Sequence, residues 1–164
     1  QGECKVMDNG CLNLVSMVFS IMEKRKLTFC SCESLTGGLF GATVCSVPGA
    51  SNYYRGGVIT YVDDVKQRLG VSEKTLKEDT AISMKCACEM ALSSEKFTGS
   101  DVAISFTGNA GPTAQDGKPV GEVWIGISYH GQAKAYKYQL EGDRNSIREQ
   151  CVKEGLRQLL NNLA

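Results

Sequence analysis

The feature that most constrains the fold is a short apolar strand that ends in a glycine-containing turn and continues as a helix. The residue pattern predicts the strand over 27–32, the turn over 33–38 and the helix over 39–47. This order begins a layered α/β domain, because the helix packs back onto the sheet that the strand joins. At 164 residues, 42% of them hydrophobic, the chain is long enough to bury one core. We therefore predict a single domain over 1–164, an α/β three-layer sandwich in which helices flank a mixed, largely parallel sheet.

The remaining segments alternate between helical and strand patterns. Leu14, Val18, Ile21 and Met22 recur at helical spacing in a first helix over about 9–26, ahead of a core over 27–164. Further strands are predicted over 54–61, 102–106, 120–129 and 133–140, the last two joined by a two-residue hairpin at His130-Gly131. Further helices are predicted to begin at the caps Asp63 or Asp64, Ser72, Ser83 and Asp143. The helix after Ser83 is predicted to end at about Leu92, with Met84, Ala87 and Ala91 facing inward. The helix after Asp143 is predicted to end at about Leu163, and its inward-facing residues are Ile147, Cys151, Leu156, Leu159 and Leu160.

The charge balance excludes several classes of partner. Eighteen basic and eighteen acidic residues cancel, which argues against a broad basic face for nucleic acid and against a polybasic membrane anchor. No apolar run reaches the roughly 20 residues that span a bilayer. The early apolar stretch 12–22 precedes its charged residues, whereas a signal peptide has its charges first. We expect a cytoplasmic protein, with a processing remnant before the first helix because the chain starts at Gln1.

Eight cysteines invite either a disulfide framework or a metal site, and the pattern favours neither. They are Cys4, Cys11, Cys30, Cys32, Cys45, Cys86, Cys88 and Cys151. The chain is too long and too rich in core residues to need disulfides, and no C-x-x-C occurs. On a helix, Cys86 and Cys88 would point roughly 200° apart. We expect reduced, mostly buried thiols that pack as small hydrophobic side chains, and no metal.

Ser34 is the strongest candidate nucleophile. It lies at the carboxyl end of the predicted first strand, on the edge where open α/β sheets bind ligands. The first turn of the helix that follows is expected to offer free N–H groups to a phosphate or an oxyanion, with Gly37 and Gly38 leaving the backbone bare. The alternative is that Ser34 and Thr36 only cap this helix. The sequence alone does not separate the two.

A nucleophilic serine needs a base, and histidine is nearly absent. The single histidine, His130, falls in a hairpin turn, which argues against a Ser-His-Asp arrangement. Tyr61 is expected on the same edge as Ser34 if their strands are parallel, and Lys66 follows in the next helix. Either could act as the base if its environment lowers its pKa. The alternative is a core tyrosine and a solvated helix lysine.

Two later segments are weaker candidates. Residues 107–112 form a second glycine-rich turn directly after a strand, which suits either ligand binding or an ordinary loop. Arg144, at the start of the last helix, or Arg148 could pair with a phosphate, although an arginine in such a place is usually only a surface residue.

Six segments follow one another along the chain: ESLTGG (33–38), VPGAS (47–51), GGVITY (56–61) with Lys66, TGNAGP (107–112), KPVGEVW (118–124) and GDR (142–144). Their order and spacing are far more specific than any one of them. Together they resemble the CinA C-terminal domain family, whose characterised enzymes include nicotinamide-nucleotide amidases. The resemblance covers about 27 to the C-terminus.

The resemblance implies an amidase that converts nicotinamide mononucleotide to nicotinic acid mononucleotide and ammonia. It assigns Ser34 as the nucleophile, and Tyr61 and Lys66 as the groups that carry the proton to ammonia. It implies a homodimer and a reaction that needs neither cofactor nor metal. The substrate-binding residues that it suggests are Thr36, Gly37, Gly38, Gly57, Thr107, Gly108, Asn109 and Arg144.

Two departures from the family pattern bear on these expectations. Many members carry a preceding domain that resembles molybdopterin-binding proteins, and we expect that domain and its activity to be absent. Asn109 stands where similar sequences often have an apolar residue, which puts the ligand in question. The alternatives to the amidase are a nucleotide- or partner-binding module without turnover, and an amidase for another substrate.

Overall fold

Five strands and six helices make up the fold in a computed structural model that describes residues 8–164. The helices are α1 (Asn9–Arg25), α2 (Leu39–Cys45), α3 (Asp63–Leu69), α4 (Glu73–Glu78), α5 (Met84–Thr98) and α6 (Arg144–Leu163). The strands are β1 (Phe29–Glu33), β2 (Tyr54–Ile59), β3 (Val102–Gly108), β4 (Glu122–Tyr129) and β5 (Gln132–Gln139), and a 3-10 turn covers Ala50–Asn52.

The strands form one mixed sheet in the order β2-β1-β3-β4-β5. β1 is parallel to both β2 and β3, whereas β4 is antiparallel to both β3 and β5. The predicted α/β sandwich is confirmed, with the parallel pairing confined to three strands. Because β1, β2 and β3 run the same way, their carboxyl ends meet at one edge of the sheet.

The two faces of the sheet carry different layers, because successive side chains of a strand point to opposite sides. On one face Phe29, Ile104 and Phe106 pack with residues of α1, α2 and α6 in the main core. On the other face Cys32 packs with Cys86 and Met90 of α5. The large side chains therefore fill one side, and small residues let α5 lie close on the other.

Most predicted caps and turns are confirmed. Ser72, Ser83 and Asp143 accept the N–H groups that open α4, α5 and α6. His130 and Gly131 both have positive φ, 49° and 82°, as a tight β-hairpin turn requires.

Three local predictions were wrong. The N-cap of α3 is Val62, and Asp63 and Asp64 lie within the first turn, where acidic groups still stabilise the helix. Helix α5 continues past Leu92 to Thr98 and ends at Gly99, whose φ of 70° suits a helix stop. Met84 is 54% exposed rather than inward-facing, because it is the first residue of α5, at the rim of the interface with the sheet.

Seven cysteines lie within the described residues, and all seven are free thiols. Five are buried, Cys88 is half-buried and only Cys45 is exposed. Burial raises the pKa of Cys32, Cys86 and Cys151 to about 12, which keeps these thiols protonated and unreactive. The expectation of mostly buried thiols is confirmed for these seven, and Cys4 lies outside the described residues.

No helix within residues 8–164 is long and apolar enough to cross a membrane.

We expect a thiol reagent to separate these cysteines by burial in the native protein. Cys45 should react within minutes, whereas the five buried thiols should react only as fast as the protein opens. A Cys45→Ser variant should lose the fast labelling at position 45, measured by mass spectrometry of labelled peptides, which separates Cys45 from Cys4. Fast labelling of Cys32 or Cys151 would contradict the burial described here.

We expect Gly155→Ala to destabilise the protein although alanine favours helices. A Cβ at Gly155 would lie 2.5 Å from ring carbons of Phe106 and 2.9 Å from Ile104, so α6 would have to move away from β3. Overpacking of this kind costs about 1–3 kcal/mol. The exposed Asn161→Ala in the same helix is the control and should leave the denaturant midpoint nearly unchanged. A midpoint for Gly155→Ala at or above that of the control would contradict the close contact.

Candidate active site

Ser34 lies where three parallel strands end. In the sheet, Glu33 of β1 is opposite Ile59 of β2 and Phe106 of β3, and Ser34 follows directly. Its N–H donates to the carbonyl of Phe106 at 2.9 Å, which fixes the turn to the sheet. Ser34 opens onto a cavity of about 290 Å³. The cavity is lined by Ser34, Leu35, Tyr61, Val62, Asp63, Gly108, Ala110, Gln115, Asp116 and Arg144.

Lys66 reaches this serine from α3, and its side chain is among the most buried of the protein. The residue is only 1% exposed, and its Nζ lies 2.8 Å from the Ser34 Oγ. Nζ also donates to the carbonyls of Thr60 at 2.7 Å and Tyr61 at 3.1 Å. Burial lowers the pKa of the Lys66 amine below its usual 10.5, because a charged ammonium loses its hydration in the interior.

The three neighbours of Nζ can be satisfied by either charge state of the amine. A charged ammonium donates to all three, whereas an uncharged lysine has two N–H donors and one lone pair. The two carbonyls take the two donors, which leaves the lone pair facing the hydroxyl of Ser34. In that state the Ser34 hydroxyl donates its hydrogen bond to the amine. In this geometry the amine could accept the proton of the hydroxyl.

Tyr61 contributes its backbone and its phenol to different parts of the site. Its carbonyl contacts both Lys66 and, at 3.4 Å, the Ser34 hydroxyl. Its phenol is 53% exposed and accepts a 2.8 Å hydrogen bond from Arg144. Arg144 also donates to the carbonyl of Gly111. The structure therefore joins Ser34 directly to Lys66, and places the Tyr61 hydroxyl with Arg144 at the cavity wall.

Glu33 occupies the helix end that was expected to be free for a ligand. Its carboxylate is only 2% exposed and accepts the N–H groups of Gly38, Phe40 and Gly41 at 2.9–3.2 Å. The expectation that the first turn of α2 would offer free N–H groups was therefore wrong for these three donors, since the protein supplies its own anion there. The signal in the sequence was an acidic residue just ahead of a helix N-terminus.

The other predicted binding residues separate into two groups. Gly108 and Arg144 line the cavity. Thr107 donates instead to the Ala81 carbonyl at 2.6 Å, and the Asn109 side chain bonds within its own loop to Thr113, Lys118 and Gly111.

The remaining predicted residues shape the backbone near the site. A Cβ on Gly57 would lie 2.5 Å from the Ser31 hydroxyl, so this glycine permits close packing inside the fold. Gly37 and Gly38 have positive φ, 55° and 104°, in the turn after Ser34. Thr36 is fully buried, and its hydroxyl has no hydrogen-bond partner among residues 8–164.

Two acidic residues with a place at the site were missed by sequence reasoning, since Asp63 and Asp116 line the cavity. Arg148, named from the sequence as a possible phosphate partner, instead donates to the carbonyls of Leu35 and Thr36, both at 2.9 Å, and so holds the turn that carries Ser34. An Asp-Gly pair at 116–117 is a sequence signal for a tight turn, but nothing local indicated that the turn would face Ser34.

The groups at this site could support acyl transfer. Within the described part of the chain, no three His, Cys, Asp or Glu side chains come together as a metal site. What the cavity offers is a hydroxyl beside a buried amine, with carboxylates and a guanidinium on its walls.

Known proteins with similar sequences carry a common name. A Bacillus velezensis relative named competence-damage inducible protein is 43% identical over 149 residues, which are 90% of this chain and 36% of that protein. The relative of the same name from Bacillus subtilis strain 168 is 42% identical over 149 residues, again 90% of this chain and 36% of that protein. The chain thus spans about a third of the length of these curated relatives.

Solved structures and a family model extend the comparison to the whole fold. A CinA superfamily protein from Klebsiella pneumoniae superposes with a TM-score of 0.91 at 30% identity, over 93% of this chain and 97% of that one. One from Escherichia coli gives 0.90 at 30% identity, over 99% and 94%. The model of the CinA C-terminal domain matches residues 12–163. The match includes most of α1, so it begins earlier than the resemblance of the motifs, which starts at about 27. The chain belongs to the CinA C-terminal domain family.

Proposed function

We propose that this chain is an amidohydrolase that deamidates nicotinamide mononucleotide to nicotinic acid mononucleotide and ammonia. The observation that carries the proposal is the buried Lys66 amine, 2.8 Å from the Ser34 hydroxyl and held by two backbone carbonyls. A fully buried lysine is costly, and such perturbed groups concentrate at functional sites. The choice of substrate rests on the family resemblance of the motifs.

The first half-reaction would form an ester on Ser34. Neutral Lys66 takes the hydroxyl proton while the Ser34 Oγ attacks the carboxamide carbon. The tetrahedral intermediate then collapses, and Lys66 returns the proton to the leaving nitrogen, so that ammonia departs. Because the Lys66 amine contacts the Ser34 oxygen, the same amine could accept the hydroxyl proton and then donate it to the leaving nitrogen.

The second half-reaction would release the acid. Water attacks the ester carbon, neutral Lys66 accepts a proton from that water, and the Ser34 oxygen recovers a proton as it leaves. No group outside the chain other than water is needed to balance the two steps.

A backbone donor next to the nucleophile suits the developing oxyanion. Leu35 lines the cavity, and its N–H donates to no group in the described residues. An N–H directly after a nucleophile is a common oxyanion donor. Arg148 holds the carbonyl of Leu35 on the other side of this turn, which would keep the donor in place.

Arg144 is the proposed partner of the substrate phosphate. It is the only arginine that lines the cavity within residues 8–164, and its guanidinium lies against the phenol of Tyr61. In this proposal Tyr61 orients Arg144 and, through its carbonyl, Lys66, while Lys66 carries the proton.

We expect Ser34→Ala to abolish ammonia release from nicotinamide mononucleotide. Loss of a serine nucleophile removes the covalent route, and catalysis should fall by a factor of about 10³ or more. The control is Ser16→Ala, an exposed serine of α1 whose loss should leave the rate unchanged. Ammonia is measured by a coupled assay and the acid product by chromatography.

The outcomes of this experiment separate the alternatives. Equal ammonia release from wild type and Ser34→Ala would sink the nucleophile assignment. No release from wild type, together with tight nucleotide binding, would favour a binding module of the same fold. Release from other carboxamides but not from this nucleotide would favour a different amidase substrate.

We expect the pH dependence of kcat/KM to report Lys66. Only the neutral amine can act as a base, so kcat/KM should rise with pH through one ionisation below the usual lysine pKa of 10.5. Lys66→Arg should lose nearly all activity at every pH, because a guanidinium stays protonated. The exposed Lys74→Arg should keep both the rate and the profile. Retention of most activity by Lys66→Arg would move the role of base to Tyr61 or to water.

A further inference from the structure

Two carboxylates from separate parts of the chain face the cavity that contains Ser34. Asp63 is the first residue of α3, and Asp116 lies in the connection between β3 and β4. Their presence is unexpected in a site proposed to bind a phosphorylated ligand, because carboxylates repel phosphate. The only cation lining the cavity among the described residues is Arg144.

Asp116 is held in place by a tight turn. Gln115 and Lys118 exchange backbone hydrogen bonds at 3.2 and 2.8 Å, which closes a two-residue turn over Asp116 and Gly117. Both turn residues have positive φ, 52° and 71°, as in type I′ hairpin turns. Aspartate followed by glycine is a preferred pair for such a turn, so the turn fixes the place of the Asp116 carboxylate.

Neither carboxylate forms an ion pair within residues 8–164. The neighbouring Asp64 shows the contrast, because it pairs with Arg68 at 3.2 Å on the outer side of α3 and does not line the cavity. The charges of Asp63 and Asp116 also reach the reacting end of the cavity. Both raise the pKa of Lys66, against the larger lowering by burial.

The cavity therefore carries two carboxylates, whose charges act on Lys66 beside Ser34, and one guanidinium, that of Arg144. A carboxamide carried on a pyridinium ring and linked to a phosphate has the complementary charges, with the positive ring next to the amide. A neutral ring in the same position would gain nothing from the two carboxylates.

The negative charges of Asp63 and Asp116 also weaken binding of the acid product. Hydrolysis turns a neutral carboxamide into a carboxylate at the atom that had faced Ser34. A new anion close to Asp63 and Asp116 is repelled, and this favours release of the acid over its rebinding.

We propose that Asp63 and Asp116 select carboxamides borne on a cationic ring and weaken binding of the carboxylate product. The inference rests on the proposed amidase function and deepens it, since it names the charge of the ring as the feature that is recognised.

The test compares two forms of one nucleotide that differ in ring charge. Oxidised nicotinamide mononucleotide has a cationic ring, and its 1,4-dihydro form has a neutral ring with the same amide, ribose and phosphate. Dissociation constants for both are measured by calorimetry in the Ser34→Ala protein, so that no turnover occurs. The same measurement is made after adding Asp63→Asn, Asp116→Asn or both. Asparagine tolerates the left-handed backbone at 116, so the turn is retained.

We expect the preference for the oxidised form to fall about threefold to tenfold with each single change and further with both. Added salt should reduce the preference of the parent and leave that of the double variant nearly constant. The matched control, Asp64→Asn, should keep the parent preference. Because the preference is a ratio of two ligands on one protein, any general change in the site cancels.

Product binding gives an independent measurement. Nicotinic acid mononucleotide should inhibit Asp63→Asn and Asp116→Asn more strongly than the wild type, relative to the substrate KM. An unchanged preference and unchanged product inhibition in the double variant would overturn the inference. Failure of the proposed function is distinguishable, because the wild type would then release no ammonia from either form of the nucleotide.

Discussion

A lysine amine in the interior, facing one hydroxyl and two carbonyls, is the interaction on which the candidate site depends. Lys66 is 1% exposed, and its Nζ is bound by Ser34, Thr60 and Tyr61. A buried charge without a counter-ion is unfavourable, so the interior favours the neutral amine. The cost of burying the side chain and the neutral state that a proposed general base needs therefore have one physical origin.

The surrounding structure holds the turn that carries Ser34 in position for its contact with Lys66. Glu33, one residue before Ser34, accepts three N–H groups at the start of α2, and Arg148 of α6 donates to the two carbonyls after Ser34. The Ser34 turn is thus bound from both sides by charge-assisted hydrogen bonds, which are stronger than neutral ones. A serine that first resembles a simple helix cap is held more firmly than capping requires.

The comparison of sequence and structure shows which inferences local patterns can support. Caps such as Ser72, Ser83 and Asp143 were predictable, because each bond joins residues three apart and needs no other part of the chain. The order of strands and helices also followed from hydrophobic periodicity. Met84 was misplaced because a helical pattern fixes which residues share a face but not where the neighbouring layer ends.

Sequence alone determined the fold class, the family motifs and the pairing of a candidate nucleophile with a lysine, since these depend on residue types in a fixed order. Tertiary structure decided how those residues meet. It brought Lys66 to Ser34 across 32 positions of the chain, turned the Tyr61 phenol towards Arg144, and filled the N-terminus of α2 with Glu33. It also placed Asp63 and Asp116, which are far apart in sequence, on one cavity. The physical reason is that burial and charge at this edge arise from three strands, helices α3 and α6 and the loop that carries Asp116 together, and no single segment encodes their distances.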